Sequence, residues 1–158
     1  MPNTQSLTTS FLGEVLTGTH NFGVAPIRAA TTADTFRAAL YLASATVNAS
    51  TTVYSTTGEV TGSGYTAGGI TVTNGTVPTA TNASTTAGVG FWTSSASIVY
   101  SSVTLSTAFD AVLIYNSTQS NRAVSVHTFG NQIVTAGTFT LTMPSNTTTT
   151  ALLRLATT

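Results

Sequence analysis

The chain has 158 residues, of which only 5% are charged, and its formal net charge is zero. Four arginines, four carboxylates and no lysine do not make the basic face that neutralises phosphates, so no nucleic-acid partner is expected. The absence of cysteine excludes disulfides, thiolate zinc sites and Cys nucleophiles, and no apolar run reaches the roughly 18 residues of a spanning helix, so no membrane is expected either.

Mean hydropathy is +0.28, and about a third of the residues are Thr or Ser. Disordered chains combine low hydrophobicity with high net charge, and this chain has neither. Threonine fits a pleated surface while its hydroxyl stays hydrated, so a Thr-rich, glycine-punctuated chain reads as all-β. Met1 to Ser6 has no basic residue and leads into no long apolar stretch, so no signal peptide is expected. Leu7, Phe11, Leu12, Val15 and Leu16 recur at helical spacing. With Thr8, Thr9 or Ser10 as cap and Gly18 as the stop, they predict a short helix over about 10–17. Residues 20–33 read as a connector. Thr35 to Leu42 alternates Phe36, Ala38, Leu40 and Leu42 against Arg37, Ala39 and Tyr41, a strand with one buried face.

Tyr65 to Thr73 reads as the next strand, with Gly68-Gly69 as a bulge or a point of close approach. Asn74-Gly75 is a turn signal, and 76–88 is a polar segment. A further β region begins at Gly90-Phe91-Trp92 and continues through Ile98 to Leu105. Asp110 to Asn116 is the most hydrophobic run and is expected as a central strand, with Leu113 and Ile114 in the core. Asn116 to Asn121 is a loop. Ala123 to Phe129, Phe139 to Met143 and Leu152 to Leu155 complete about eight strands. The organisation expected is an N-terminal arm over 1–33, holding the short helix and the connector, and a single β-sandwich (jelly-roll-like) domain over 34–158.

The chemistry-bearing residues are few. The carboxylates Glu14, Asp34, Glu59 and Asp110 each stand alone in their segments. Asp34 and Asp110 precede strands and suit turn or cap roles, whereas Glu14 is expected to face solvent from the helix. His20 and His127 are more than a hundred residues apart and offer no metal-ligand spacing. His127 suits a half-buried strand position. No Gly-x-Ser-x-Gly elbow supports a Ser-His-Asp arrangement, although the many serines leave one open. Gly62-Ser63-Gly64-Tyr65-Thr66-Ala67 matches G-x-G-x-x-A, but the residues after it are strand-like, and pyrophosphate binding needs a helix there. Arg28, Arg37, Arg122 and Arg154 are scattered and suit loops or interfaces. Five Asn-x-Ser/Thr triplets, beginning at Asn48, Asn74, Asn82, Asn116 and Asn146, are expected by chance in so Thr-rich a chain. No catalytic, metal-binding or cofactor-binding residue is assigned, and no cofactor is expected.

Several strings taken together carry more. They are Phe22, then Asp34-Thr35-Phe36-Arg37-Ala38-Ala39-Leu40-Tyr41, then Thr56 to Gly69, then Leu113-Ile114-Tyr115-Asn116, Phe129-Gly130, and Ala136 to Pro144. Their order resembles a family of small tailed-bacteriophage virion structural proteins. The resemblance runs over about residues 10–156, and its best marker is the string from Glu59 to Gly69. The few charges and the Thr/Ser-rich segment 76–88 depart from the family pattern. The resemblance implies a non-enzymatic virion role, foremost a capsid decoration (cement) protein on the phage head. Its expected partners are the major capsid protein or other virion proteins, and it would be a homo-oligomer, a trimer. The alternative it leaves is a neck or tail-fibre component that binds a host receptor or glycan, for which exposed Tyr65, Trp92 or Tyr100 would be the stacking residues.

Overall fold

Two long strands organise the structure, a computed structural model that describes residues 3–16, 18–22, 33–75, 78–81 and 88–156. In chain order the elements are β1 (Ser6–Leu7), α1 (Thr9–Leu16), β2 (Phe36–Leu42), β3 (Ile70–Val72), β4 (Thr79–Ala80), β5 (Val89–Trp92), β6 (Ile98–Asn116), β7 (Arg122–Leu141) and β8 (Leu153–Ala156). Among the described residues the fold is all-β with one short helix. A five-stranded sheet has the order β1-β7-β6-β2-β3 and a three-stranded sheet the order β4-β5-β8. Every strand pairing is antiparallel.

The expected segments Ile98–Leu105 and Asp110–Asn116 are one strand, β6, and the alternating stretches around 123–129 and 139–143 merge into β7. Bulges hid this continuity. The β6–β7 register shifts between Tyr100 and Val103, between Leu105 and Phe109, and again beyond Phe109. Ser102 and Ala136 adopt φ of 54° and 46°. Each extra residue inverts the inside/outside alternation, so one long strand reads as two short ones. The Ser117–Asn121 turn joins the two strands, with Ser120 and Asn121 at φ 54° and 59°, within the loop expected there.

The five-stranded sheet is covered on both faces. On one face Phe36, Ala38, Leu40, Phe109, Val112, Ile114 and Val124 pack with Phe11, Phe22, Trp92 and Leu153, so this core joins the two sheets. On the other, Ala39, Tyr41, Ala111, Leu113, Tyr115 and Val126 pack with Ala45, Val47 and Tyr54 from the segment after β2. Leu113 and Ile114 are therefore both buried, as expected, but in opposite cores. This corrects the reading of β2 as a strand with one buried face: Ala39 and Tyr41, on its supposed outer side, are buried too. The expected strand Tyr65–Thr73 shrinks to β3, because Gly68 and Gly69 turn the chain at φ 88° and 66°.

The N-terminal segment lies on the sheet. The Asn3 side chain donates to the Leu42 carbonyl and to Asp110, and its Oδ1 accepts from the Val47 N–H. β1 adds to the edge of β7, with Ser6 opposite Val126 and Leu7 opposite Ser125. Thr8 donates to the Ala123 carbonyl at 3.0 Å. The helix buries Phe11 against Phe22, and Phe22 stacks on Phe36 with ring centroids 4.2 Å apart. The helix thus packs on its own domain. Much of the expected connector 20–33 and of the polar segment 76–88 lies outside the described residues, as do Arg28 and Asn82.

Candidate functional site

The sequence isolates its ionisable residues, but the fold gathers them into two buried clusters. The first runs from the helix to the β6–β7 turn. Glu14 pairs with Arg122 and, at 2.7 Å, with His20 Nε2. The His20 side chain has 0% exposure and sits against the Phe11 ring, with centroids 5.0 Å apart. Its Nδ1 lies 3.1 Å from Asn116 Nδ2, which also donates to Asp34 Oδ2 at 2.7 Å. Asn116 Oδ1 accepts from the Thr118 and Gln119 N–H groups, each at 3.1 Å. All four hydrogen-bonding positions of this buried amide are filled, which fixes its orientation. Because the amide donates to Nδ1, the neutral imidazole carries its proton on Nε2, facing Glu14. Both ring nitrogens are then committed, leaving neither for a substrate. Asp34 also accepts from the Asn21 N–H at 2.9 Å, so it ties the segment after the helix to the turn, in keeping with its expected turn role. Glu14 does not face solvent as expected: its side chain is 11% exposed because His20 and Arg122 hold it inward. Asp110 lies within β6 rather than ahead of a strand, and it takes the Asn3 amide.

The second cluster centres on Glu59 and draws in all five tyrosines. Buried Glu59 accepts from Tyr54 Oη at 2.6 Å, from Tyr65 Oη at 2.7 Å and from the Gly68 N–H at 2.7 Å. Tyr65 Oη in turn accepts from the Leu40 N–H at 3.0 Å. Tyr115 donates to the Gly68 carbonyl at 2.8 Å and Tyr100 to the Ala38 carbonyl at 2.7 Å. Arg37 donates to the carbonyls of Gly68 and Gly69. Tyr41 donates to the Ser55 carbonyl. Tyr54 stacks on Tyr115 and Tyr65 on Tyr100, with centroids 4.6 and 5.9 Å apart. Burial pushes the Tyr41 phenol up to about 12. Burial, followed by the hydrogen bond to Glu59, raises Tyr54 and Tyr65 as well. These phenols stay protonated and act as donors that fasten the 53–69 loop to β2 and β6. No local spacing announced this cluster; the strand pairing of β2 with β6 creates it.

A third arrangement is a Ser-His pair. Ser125 Oγ lies 2.9 Å from His127 Nε2, two residues apart on one face of β7. Ser125 has 0% exposure. No carboxylate among the described residues bonds the other ring nitrogen, so the orienting third member is missing. Burial lowers the His127 pKa to about 4. Unfolded, it titrates near 6.5, so between these values the unfolded chain binds the extra proton and stability rises with pH. The contribution is complete above about 6.5 and is lost as pH falls toward 4, at most about 3 kcal/mol. We expect the melting temperature to fall between pH 6.5 and 4 by clearly less in His127→Gln than in the native chain; equal slopes would show that His127 is not the titrating group.

An apolar cleft of about 310 Å³ opens between the helix and the three-stranded sheet, lined by Phe11, Val15, Phe22, Trp92, Leu153 and Leu155 among others. Among the described residues no carboxylate lines it, and its polar side chains are His20 and Thr79. Trp92 and Tyr100 are buried, so neither offers a ring face for sugar stacking; Tyr65 is half-buried, with its hydroxyl bound to Glu59 and its ring stacked on Tyr100. Among the described residues no three His, Asp or Glu side chains lie close enough together to hold a metal ion. The residues after Gly62-Ser63-Gly64 form turns and the short β3, without the helix a dinucleotide site needs. Comparison of the chain with protein-family models, with curated proteins and with solved structures gives no match.

Proposed function

We propose that the protein is a non-enzymatic structural component of a tailed-phage virion, a decoration protein that cements the head by bridging neighbouring major capsid subunits as a homo-oligomer. The observation that supports this reading is where the charge goes. All four carboxylates are taken up by internal hydrogen bonds: Glu14 with His20 and Arg122, Asp34 with Asn21 and Asn116, Glu59 with two tyrosines, and Asp110 with Asn3. Arg37 and Arg154 are held by backbone carbonyls. What faces outward is largely hydroxyl, methyl and backbone. Such a surface can be buried against neighbours without stranding an ion, which would cost several kcal/mol for each charge left unpaired. The string from Glu59 to Gly69, best marker of the resemblance, is tied down by the bonds of Glu59 to Tyr54, Tyr65 and Gly68 and of Gly68 to Arg37 and Tyr115. A rigid loop suits a fixed contact in a shell, because little ordering entropy is lost on docking.

Bound copies favour the assembled shell by mass action. Particles made without the protein should therefore assemble yet rupture at lower temperature or milder osmotic shock, and adding the purified protein should restore them. Particles that are equally robust but fail to adsorb to cells would overturn this reading in favour of a neck or fibre role.

A further inference from the structure

We propose that the cleft between the five-stranded sheet and the 142–152 segment binds a small monocarboxylic acid, its acid group at Arg154 and His127 and its apolar chain against Met143. Two cavities of about 290 and 280 Å³ lie there. Gln5, His127, Ala151 and Leu152 line both, so the two adjoin at the His127 ring. Their linings differ. Ile98, Val112, Ile114, Leu141 and Met143 line the first, whereas Ser6, Ser125 and Arg154 line the second. A largely apolar chamber thus opens onto a polar mouth. Ligand sites combine an apolar lining with a few convergent polar groups in this way, and about 290 Å³ lies at the small end of their range.

The groups at the mouth decide the chemistry of the ligand. Ser125 is fully buried, and among the described residues its hydroxyl has one partner, His127 Nε2. A hydroxyl shut off from water gives its proton to the acceptor it has, so Ser125 donates and Nε2 accepts. The neutral imidazole then carries its own hydrogen on Nδ1, a donor that no described residue satisfies. Burial lowers the His127 pKa to about 4, so the ring is neutral at neutral pH. Arg154 supplies the charge. Its Nε donates to the Thr148 carbonyl at 2.6 Å, which steadies the guanidinium and leaves the two terminal nitrogens, the pair that holds a carboxylate side by side. Among the described residues no carboxylate lines either cavity and none pairs with Arg154. A ring donor and a cation without a counter-ion call for an acceptor that bears negative charge. A carboxylic acid with an aliphatic chain meets that need and fills the adjoining chamber with the same molecule. The site belongs to the free protein and does not rest on the virion role.

Titration of the purified chain with octanoate tests this. The sequence has two methionines, Met1 and Met143, so methyl-labelled methionine gives an NMR signal from the chamber itself, assigned with Met143→Leu. Octanoate is expected to bind saturably and to shift the Met143 signal. Octan-1-ol keeps the chain without the charge, and acetate keeps the acid without the chain; each should bind at least about tenfold more weakly. Arg154→Gln alters an exposed side chain. It should keep the native circular dichroism and weaken octanoate binding by a similar factor. The proposal is overturned if octanoate does not saturate, if octan-1-ol binds as tightly, or if Arg154→Gln leaves the affinity unchanged. Binding that leaves the Met143 signal in place would also overturn it, because the ligand would then sit elsewhere, as in the aromatic cleft beside Phe11. None of these outcomes depends on the particle experiment, so this site and the cement role can fail separately.

Discussion

Gly69→Ala is expected to destabilise the protein by more than about 3 kcal/mol, while Gly130→Ala should change stability by less than about 0.5 kcal/mol. Gly69 sits at φ 66°, a conformation that costs an L-residue about 1 kcal/mol or more. A Cβ there would also overlap the Ala38 carbonyl oxygen and fall 2.8 Å from Ala39 Cα. Both obstacles are backbone of β2, buried between two cores, so neither can move aside cheaply. Relief would have to come from lifting the loop, which would break the Arg37 and Tyr115 bonds to Gly68 and the Gly68 bond to Glu59. A Cβ on Gly130 meets nothing within 4 Å. Urea titration of the two variants beside the native chain gives the comparison. A Gly69→Ala loss below about 1 kcal/mol would show that the loop is not pressed onto β2 in this way.

Asn116→Leu should cost about 3–5 kcal/mol despite adding apolar volume. The change removes two donors and one acceptor that serve four groups: His20 Nδ1, the Asp34 carboxylate and the N–H groups of Thr118 and Gln119. Asp34 keeps the Asn21 N–H, but as a buried carboxylate it would lose its shortest hydrogen bond. A polar group left buried without its partner forfeits its full desolvation free energy, whereas an exposed one turns to water. In a thermal melt the variant should unfold well below the native chain. A shift of only a degree or two would mean that water reaches this cluster.

The amino-acid pattern foretold these features unevenly. The helix was legible because Phe11 and Val15 repeat at its period, and the core position of Leu113 and Ile114 followed from an unbroken apolar run, which suits a strand covered on both faces. Gly68-Gly69 was legible as a point of close approach because paired glycines inside a strand pattern have few other uses. β6 and β7 were read as fragments because bulges at Ser102 and near Ala136 reverse the alternation. The second core was missed because Tyr41 and Arg37 look like an outer face, although Tyr41 is buried and Arg37 is held by the carbonyls of a loop 31 residues away. The His20–Asn116 contact joins residues 96 apart, and the tyrosines around Glu59 come from β2, the 53–69 loop and β6. Such groupings arise from strand register and leave no local spacing to detect.

The central claim, that this chain is a shell-stabilising virion protein, is tested most directly by electron cryo-microscopy of the intact particle that carries it. The account predicts density for this β-domain in many symmetry-related copies on the outside of the head, each touching at least two major capsid subunits. A head surface without that density, with the domain found only at the neck or tail or missing from the particle, would contradict it.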